Sequence, residues 1–335
     1  MHRPTPLQRP ATLDPTLTAI VVDQRPLLYA EGPDPALDRP AHVRAGSSLA
    51  WVPGGIALIQ DDANFLAIVD PESARVRSIT LPAGEGGFRQ FDKIRGNKKS
   101  KLDLEACVAV EYQGATRLLG FGSGSTHRRE QVLVVGALGD ERPDIGMLYA
   151  EGLYALLRSV PGFAPGQLNL EGAAVVGDQL RLFSRGNGKT RDGEAPVNAT
   201  CDLDLAGLMA YLLAPNRCAP PSPTDIATYS LGLLGGVPLS FTDAAPWKEG
   251  VIFSAAAEAT KDAIEDGLVT GSAIGVIDAA GAARWTPIVD GSGANFTGKV
   301  EGVVAGKAAG RLYVVVDADD PDAASLLCTV DVRGL

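Results

Sequence analysis

Apolar residues along this chain fall in short runs rich in Val, Ile, Leu and Phe, cut at close intervals by Gly, Pro, Asn and Asp. Runs of that length, bounded by turn residues and rich in β-branched side chains, predict strands rather than helices. The clearest case covers residues 167–188. An apolar segment opens at Leu168-Asn169-Leu170-Glu171-Gly172, turns at Gly177-Asp178, and returns through Leu180-Arg181-Leu182-Phe183 to a polar, glycine-rich end.

Similar hairpins recur. The first set holds Gly46–Val52, a turn at Pro53-Gly54-Gly55, then Ile56–Asp62, Phe65–Asp70 and Val76–Leu81. The second holds Leu102–Val110, Thr116–Phe121, Gln131–Val135 and Gly152–Arg158. In the third, the hairpin is followed by strands at Asn198–Leu205 and Ile226–Leu233, with a short helix over Ala206–Leu213. The fourth runs from Leu239–Asp243 through Val251–Thr260 to Ser272–Asp278 and Ala283–Ile288. The fifth has Lys299–Val304, Arg311–Asp317 and Ser325–Val332, one strand short.

Taking Ser48, Glu105, Glu171, Asp243 and Glu301 as equivalent positions, the repeat spacings are 57, 66, 72 and 58 residues. A long period with four strands per unit predicts an all-β, five-bladed β-propeller spanning residues 17–335, with six blades as the alternative. Thr18–Asp23 would supply the missing strand of the last blade, removing an open edge. Residues 1–16, rich in proline, are expected to form an extended tail.

Composition narrows the function. With 45% hydrophobic residues there is ample material for a large core, and 39 Gly and 23 Pro indicate many tight turns. A net charge of −10 argues against nucleic acid and anionic membrane as partners, leaving a small-molecule ligand or substrate. Oligomeric state is not encoded legibly. No apolar leader follows Met1, so a cytoplasmic location is expected. Cys107 and Cys328 read as buried thiols; a Cys201–Cys218 disulfide is neither required nor ruled out.

In a propeller the inner strands line the axis, and the start of one meets the end of the next strand at a single rim. That rim should gather carboxylates and polar groups far apart in sequence. Glu105, Glu171, Glu301 and Asp243 are the candidate metal ligands, with Ser48, Asp61, Ser123, Asn169, Glu258 and Asp317 as further ligand-binding positions. Oxygen donors without a Cys or His cluster favour Ca2+, or else Mg2+. Glu171 or Glu105 would serve as base, and Arg185 or Arg128 would steady negative charge, while Lys101 could pair with the acids. A structural reading stands beside this one: each glutamate could instead hold the ring in register through backbone N–H groups.

His127, near Ser123, invites an acyl-transfer arrangement, but no strand–turn–helix Gly-x-Ser-x-Gly context supports it. The Gly186–Thr190 segment ends like a phosphate-binding loop, but Phe183 stands where the first glycine is needed. Non-catalytic binding of a sugar or peptide, or two-carboxylate glycoside hydrolysis, remain alternatives to ester hydrolysis.

The Leu102–Ala106 and Leu168–Gly172 openings, the Gly177–Gly186 return and Val300–Gly302 resemble strand openings of bacterial β-propeller proteins, many uncharacterised and others termed phytase-like or esterase-like. The match is poor in the first set, and Thr242-Asp243 replaces Glu-Gly in the fourth. The resemblance implies a Ca2+ site at a channel mouth, carried by Glu105, Glu171 and Glu301.

Overall fold

The hydrogen-bond ladders of a computed structural model, which describes residues 6–187, 190, 193–259 and 267–335, begin and end close to the turn residues. From the N-terminus come β1 (Leu7–Leu13), β2 (Thr18–Pro26) and a short β3 (Leu28–Tyr29). Then follow β4 (Gly46–Val52), β5 (Gly55–Gln60), β6 (Phe65–Val69) and β7 (Arg75–Thr80), which form a sheet in the order β3-β7-β6-β5-β4. The next four, β8 (Leu104–Tyr112), β9 (Ala115–Gly122), β10 (Gln131–Gly136) and β11 (Asp144–Tyr149), make an antiparallel meander.

Helix α1 (Glu151–Ser159) precedes a third meander of β12 (Leu170–Val176), β13 (Gln179–Ser184), β14 (Asn198–Asp204) and β15 (Thr224–Ser230), with α2 (Leu205–Leu213) between its last two strands. The fourth contains β16 (Leu233–Leu234), β17 (Val237–Trp247), β18 (Gly250–Ala259), β19 (Leu268–Ile277) and β20 (Ala283–Val289). Last come β21 (Lys299–Ala305), β22 (Arg311–Asp317) and β23 (Leu326–Arg333).

The N-terminal strands stitch these meanders together. β2 pairs antiparallel with β23, from Thr18 opposite Arg333 to Pro26 opposite Leu326. β1 runs parallel to β15 through Leu7–Pro10 and then parallel to β20 through Ala11–Leu13. The expected free tail is thus a shared strand from residue 7 onward. Its prolines fit because it lies at an outer edge and needs only part of its N–H set.

None of the ladders closes on itself among the described residues, but the first strands touch in cyclic order: β4 with β8, β8 with β12, β12 with β17, β17 with β21, and β21 with β4. The buried apolar residues divide the same way. Each of five clusters fills the gap between two consecutive sheets, for example Leu58, Phe65 and Val76 with Val304 and Val315, or Phe183 with Phe241 and Phe253. With both faces packed, the strands have no need to alternate strictly between apolar and polar.

Two expectations change. Gly152–Arg158 is helical, because Leu153, Tyr154 and Leu157 share a buried face, and Tyr154 Oη donates to Gly122 O at 2.7 Å. The fourth strand of that sheet is instead the half-exposed Asp144–Tyr149. The helix expected over Ala206–Leu213 is present, opened by the Asp204 carboxylate accepting from Gly207 N at 2.6 Å. All four cysteines are free, which settles Cys201 and Cys218 as unbridged. No helix among the described residues is long and apolar enough to cross a membrane.

Candidate functional site

All five first strands carry a bulge at the same place. Pairing skips one residue between Gly46 and Ser48, Leu104 and Ala106, Leu170 and Gly172, Phe241 and Asp243, and Val300 and Gly302. The equivalent residues are therefore Ser47, Glu105, Glu171, Thr242 and Glu301. A bulge turns its extra side chain out of the ladder's alternation. Ser47, Glu105, Glu171 and Glu301 line one cavity of about 340 Å³, while Thr242 Oγ1 bonds Ser254 Oγ at 2.9 Å.

The residue after each bulge faces the neighbouring first strand instead. A Cβ on Gly172 would stand 2.8 Å from Ala244 N, and one on Gly302 would stand 3.1 Å from Ser47 O and from Leu49 Cγ. The Glu-Gly and Glu-Ala pairs in the sequence thus combine two demands: an acid aimed into the cavity, and a small residue where backbones approach closely.

Asp243 and Ser48 occupy this second position, so both move out of the proposed metal and ligand sets. Asp243 is fully buried and accepts from Ser48 Oγ at 2.8 Å, Val303 N at 2.8 Å and Leu49 N at 3.4 Å. Ser48 Oγ in turn accepts from Cys107 N at 2.9 Å. One carboxylate thereby ties together β4, β17 and β21, with β8 reached through Ser48. Its oxygens are occupied by protein donors, and burial raises its pKa.

The cavity brings together Asp61, Glu105, Asn169, Glu171, Arg185, Glu258, Glu301 and Asp317 from the sequence-derived set. It excludes Ser123, which donates to Asp103 and bonds Ser125 beneath the wall. His127 and Arg128, proposed as catalytic groups, also fall outside it. The chain turns outward through the left-handed Gly124 (φ 69°), leaving the His127 side chain 83% exposed against Glu130 and Arg128 near Glu85. Ser123 and His127 therefore do not form an acyl-transfer pair.

Lys101 pairs with the acids as its sequence position allowed, while Arg129 and Lys299, which also line the cavity, and Arg44 behind it were not assigned from sequence as site residues. Lys101 Nζ lies 2.5 Å and 2.6 Å from the two Asp61 oxygens and 2.8 Å from Asp103 Oδ1, and Arg129 Nη1 reaches Asp103 at 2.9 Å. Lys299 Nζ meets Glu301 at 2.9 Å and Asp319 at 3.4 Å. Arg44, buried behind the wall, holds Asp62 at 2.5 Å. A signal existed for Lys299, which opens the same strand as Glu301 two residues before it; Lys101 precedes β8 and meets Asp103 across the left-handed turn at that residue.

Arg185 is itself clamped, 2.8 Å from Glu258 and 3.4 Å from Glu171, while Asn169 Nδ2 donates to Glu171 at 2.6 Å. Its charge is met by these two acids, so it orients Glu171 rather than standing ready for an anion.

The acids separate by environment. Burial would raise Asp61, but the Lys101 ammonium holds it below the usual carboxylate range. Glu105 is pushed well up by burial and then by Asp61, Glu171 and Asp103, and the described residues offer it no ion pair. Burial, reinforced by Glu301 and opposed by Arg185, pushes Glu171 up to about 8. Asp317 rises through burial and its neighbour Asp319. Among the described residues, Asp61, Asp103 and Glu105 are the one group whose acidic oxygens converge within 4.8 Å of one another. Asp103 owes its position to a left-handed φ of 58°, a conformation Asp tolerates.

Residues 42–332 match a family of unknown function, DUF6929. The chain belongs to this family. No curated protein matches it. Among solved structures, the chain is similar to glutaminyl cyclase of Myxococcus xanthus (12% identity, 98% of this chain and 99% of that one, TM-score 0.44). It is similar to arabinanase of Bacillus subtilis (11%, 87% and 94%, 0.42) and to the calcium-binding protein regucalcin of Agrobacterium tumefaciens (11%, 99% and 98%, 0.37). Likeness at this level leaves those activities with those proteins.

Proposed function

We propose that this chain is a five-bladed β-propeller whose acidic basin binds a hard divalent cation, Ca2+ before Mg2+, and hydrolyses a small phosphate or carboxylic ester. The cyclic contacts of the first strands and the five inter-sheet cores support the blade count. Residues 20–45, which a sixth blade would need, contribute as strands most of β2, already paired with β23, and the two residues of β3.

The convergence of Asp61, Asp103 and Glu105 carries the cation reading. Three carboxylates so close must be neutralised, and an all-oxygen set suits Ca2+ or Mg2+. Lys101 supplies part of that neutralisation, so an incoming cation competes with the ammonium for Asp61. When bound, such an ion polarises a phosphoryl or carbonyl oxygen. Water would bond to the phosphorus or acyl carbon and lose its proton to solvent. Glu171, protonated at neutral pH and thus an acid rather than the base expected from sequence, gives its proton to the leaving oxygen, with Arg185 and Asn169 holding it in place.

Two measurements test this reading. Ca2+ should raise the melting temperature and EDTA should lower it, an effect lost in Asp61→Asn. Turnover of an alkyl ester whose leaving group needs a proton, such as glycerol 2-phosphate or ethyl butyrate, should vanish in Glu171→Gln with the fold intact. Equal stability with and without metal, together with no ester turnover, rejects the proposal.

A further inference from the structure

We infer that the half of the basin away from Lys101 seats the protonated amine of a small ligand. This inference rests on the reading of the basin as a cation-binding site and names a second, organic cation for it.

The two halves are balanced differently. Near Lys101, Asp61 and Asp103 are answered by Lys101 and Arg129, leaving Glu105 and Asp62 Oδ1 beside the convergent oxygens proposed to take the metal. Across the floor, among the described residues, Arg185 answers Glu171 and Glu258, and Lys299 answers Glu301 and Asp319. The Asp317 carboxylate has no hydrogen bond or ion pair to a described residue, although it lines the cavity. Glu301 is 8% exposed, and its Oε2 has no partner. Asn187 Oδ1 is likewise buried and unpartnered, and among the described residues lining the basin Arg185 Nε is the one buried donor without a partner.

Unmatched acceptors therefore outnumber unmatched donors, and the local charge is negative. Buried polar atoms without partners are costly, so the group that completes this half must bring N–H donors and positive charge. A metal ion fits it poorly, because metal binding needs oxygens that converge, and convergence within 4.8 Å occurs only at Asp61, Asp103 and Glu105 among the described residues. An ammonium has three divergent donors and tolerates spaced acceptors. The chain's own ammonium groups show the arrangement: Lys101 bridges Asp61 and Asp103, and Lys299 sits 2.9 Å from Glu301.

A cavity of about 340 Å³ admits a small molecule rather than a folded partner. At its rim Ile94 is 84% exposed and offers an alkyl chain an apolar contact. The chemical class is thus a short aliphatic amine or an ester that carries one.

Calorimetric titration of the full chain with 1,4-diaminobutane tests the assignment, with butan-1-ol as the neutral control. The diamine should bind and butan-1-ol should not. Glu301→Gln and Asp317→Asn should each weaken the diamine about tenfold or more, while Asp61→Asn leaves it within about threefold. Ca2+ binding should show the reverse pattern, lost in Asp61→Asn and kept in Glu301→Gln. Equal binding of alcohol and diamine, no diamine binding at millimolar concentration, or indifference to both Glu301→Gln and Asp317→Asn overturns the amine seat. Loss of Ca2+ binding in every protein while the diamine still binds overturns the metal reading alone.

Discussion

Asp243 and Glu301 sit one residue apart in the repeat and do opposite work. Asp243 follows its bulge, faces the adjacent strands, and has its oxygens filled by Ser48, Leu49 and Val303. Glu301 is the bulged residue itself, faces the cavity, and keeps one oxygen without a partner. Both are buried carboxylates at the start of a first strand, so residue type does not separate them. Register does: a side chain one position on crosses from the cavity to the inter-strand seam. An acid saturated by backbone donors holds the fold together, whereas an acid left short of donors awaits something from outside.

The comparison breaks most visibly at Asp243. Asp243→Ala strands the N–H groups of Leu49 and Val303 and should cost about 3–5 kcal/mol in urea unfolding, with Asp243→Asn costing less. If Asp243→Ala costs under about 1 kcal/mol, the seam does not depend on this carboxylate.

The close approach beside it gives a smaller effect. Gly172→Ala drives a Cβ against Ala244 N and should destabilise by about 2 kcal/mol, read from the same unfolding curves.

The cavity acids should respond in the opposite sense. Glu171 has a folded pKa raised to about 8 against an ordinary value of 4.5, so folding favours its protonated form. The resulting stability is fully present below pH 4.5 and is lost as pH rises through 8. Melting temperature should therefore fall between those limits. Glu171→Gln should flatten the slope and leave the protein at least as stable at alkaline pH. Asp61 runs the other way, and its contribution disappears on acidification below its ordinary range.

The smallest change sharpens the cation reading. Lys101→Met removes the tethered competitor and should tighten Ca2+ about tenfold in a calorimetric titration, an effect near 1.4 kcal/mol.

Much of this was legible. Turn residues marked nearly every hairpin, and Thr18–Asp23 does pair with the last strand. The acids at Glu105, Glu171 and Glu301 do share one cavity. The errors have physical sources. A period of two cannot reveal a bulge, so Ser48 and Asp243 were aligned one residue late. His127 and Arg128 follow a strand end, where a single left-handed glycine redirected the chain outward. β1 reads as tail because Pro10 and polar neighbours suggest no strand; only β15 and β20, far along the chain, supply its partners. α1 hides in an apolar run too short for periodicity to decide.

Those two N-terminal strands also govern the order of assembly during synthesis. β1 and β2 leave the ribosome before every other element, yet Thr18 pairs with Arg333 and Leu13 with Trp285. Native docking must wait until β20 and β23 have emerged, a long-range closure that slows folding. Until then Ala19 and Val21, buried once the strand docks, belong to a strand without a sheet and stay open to the wrong partner.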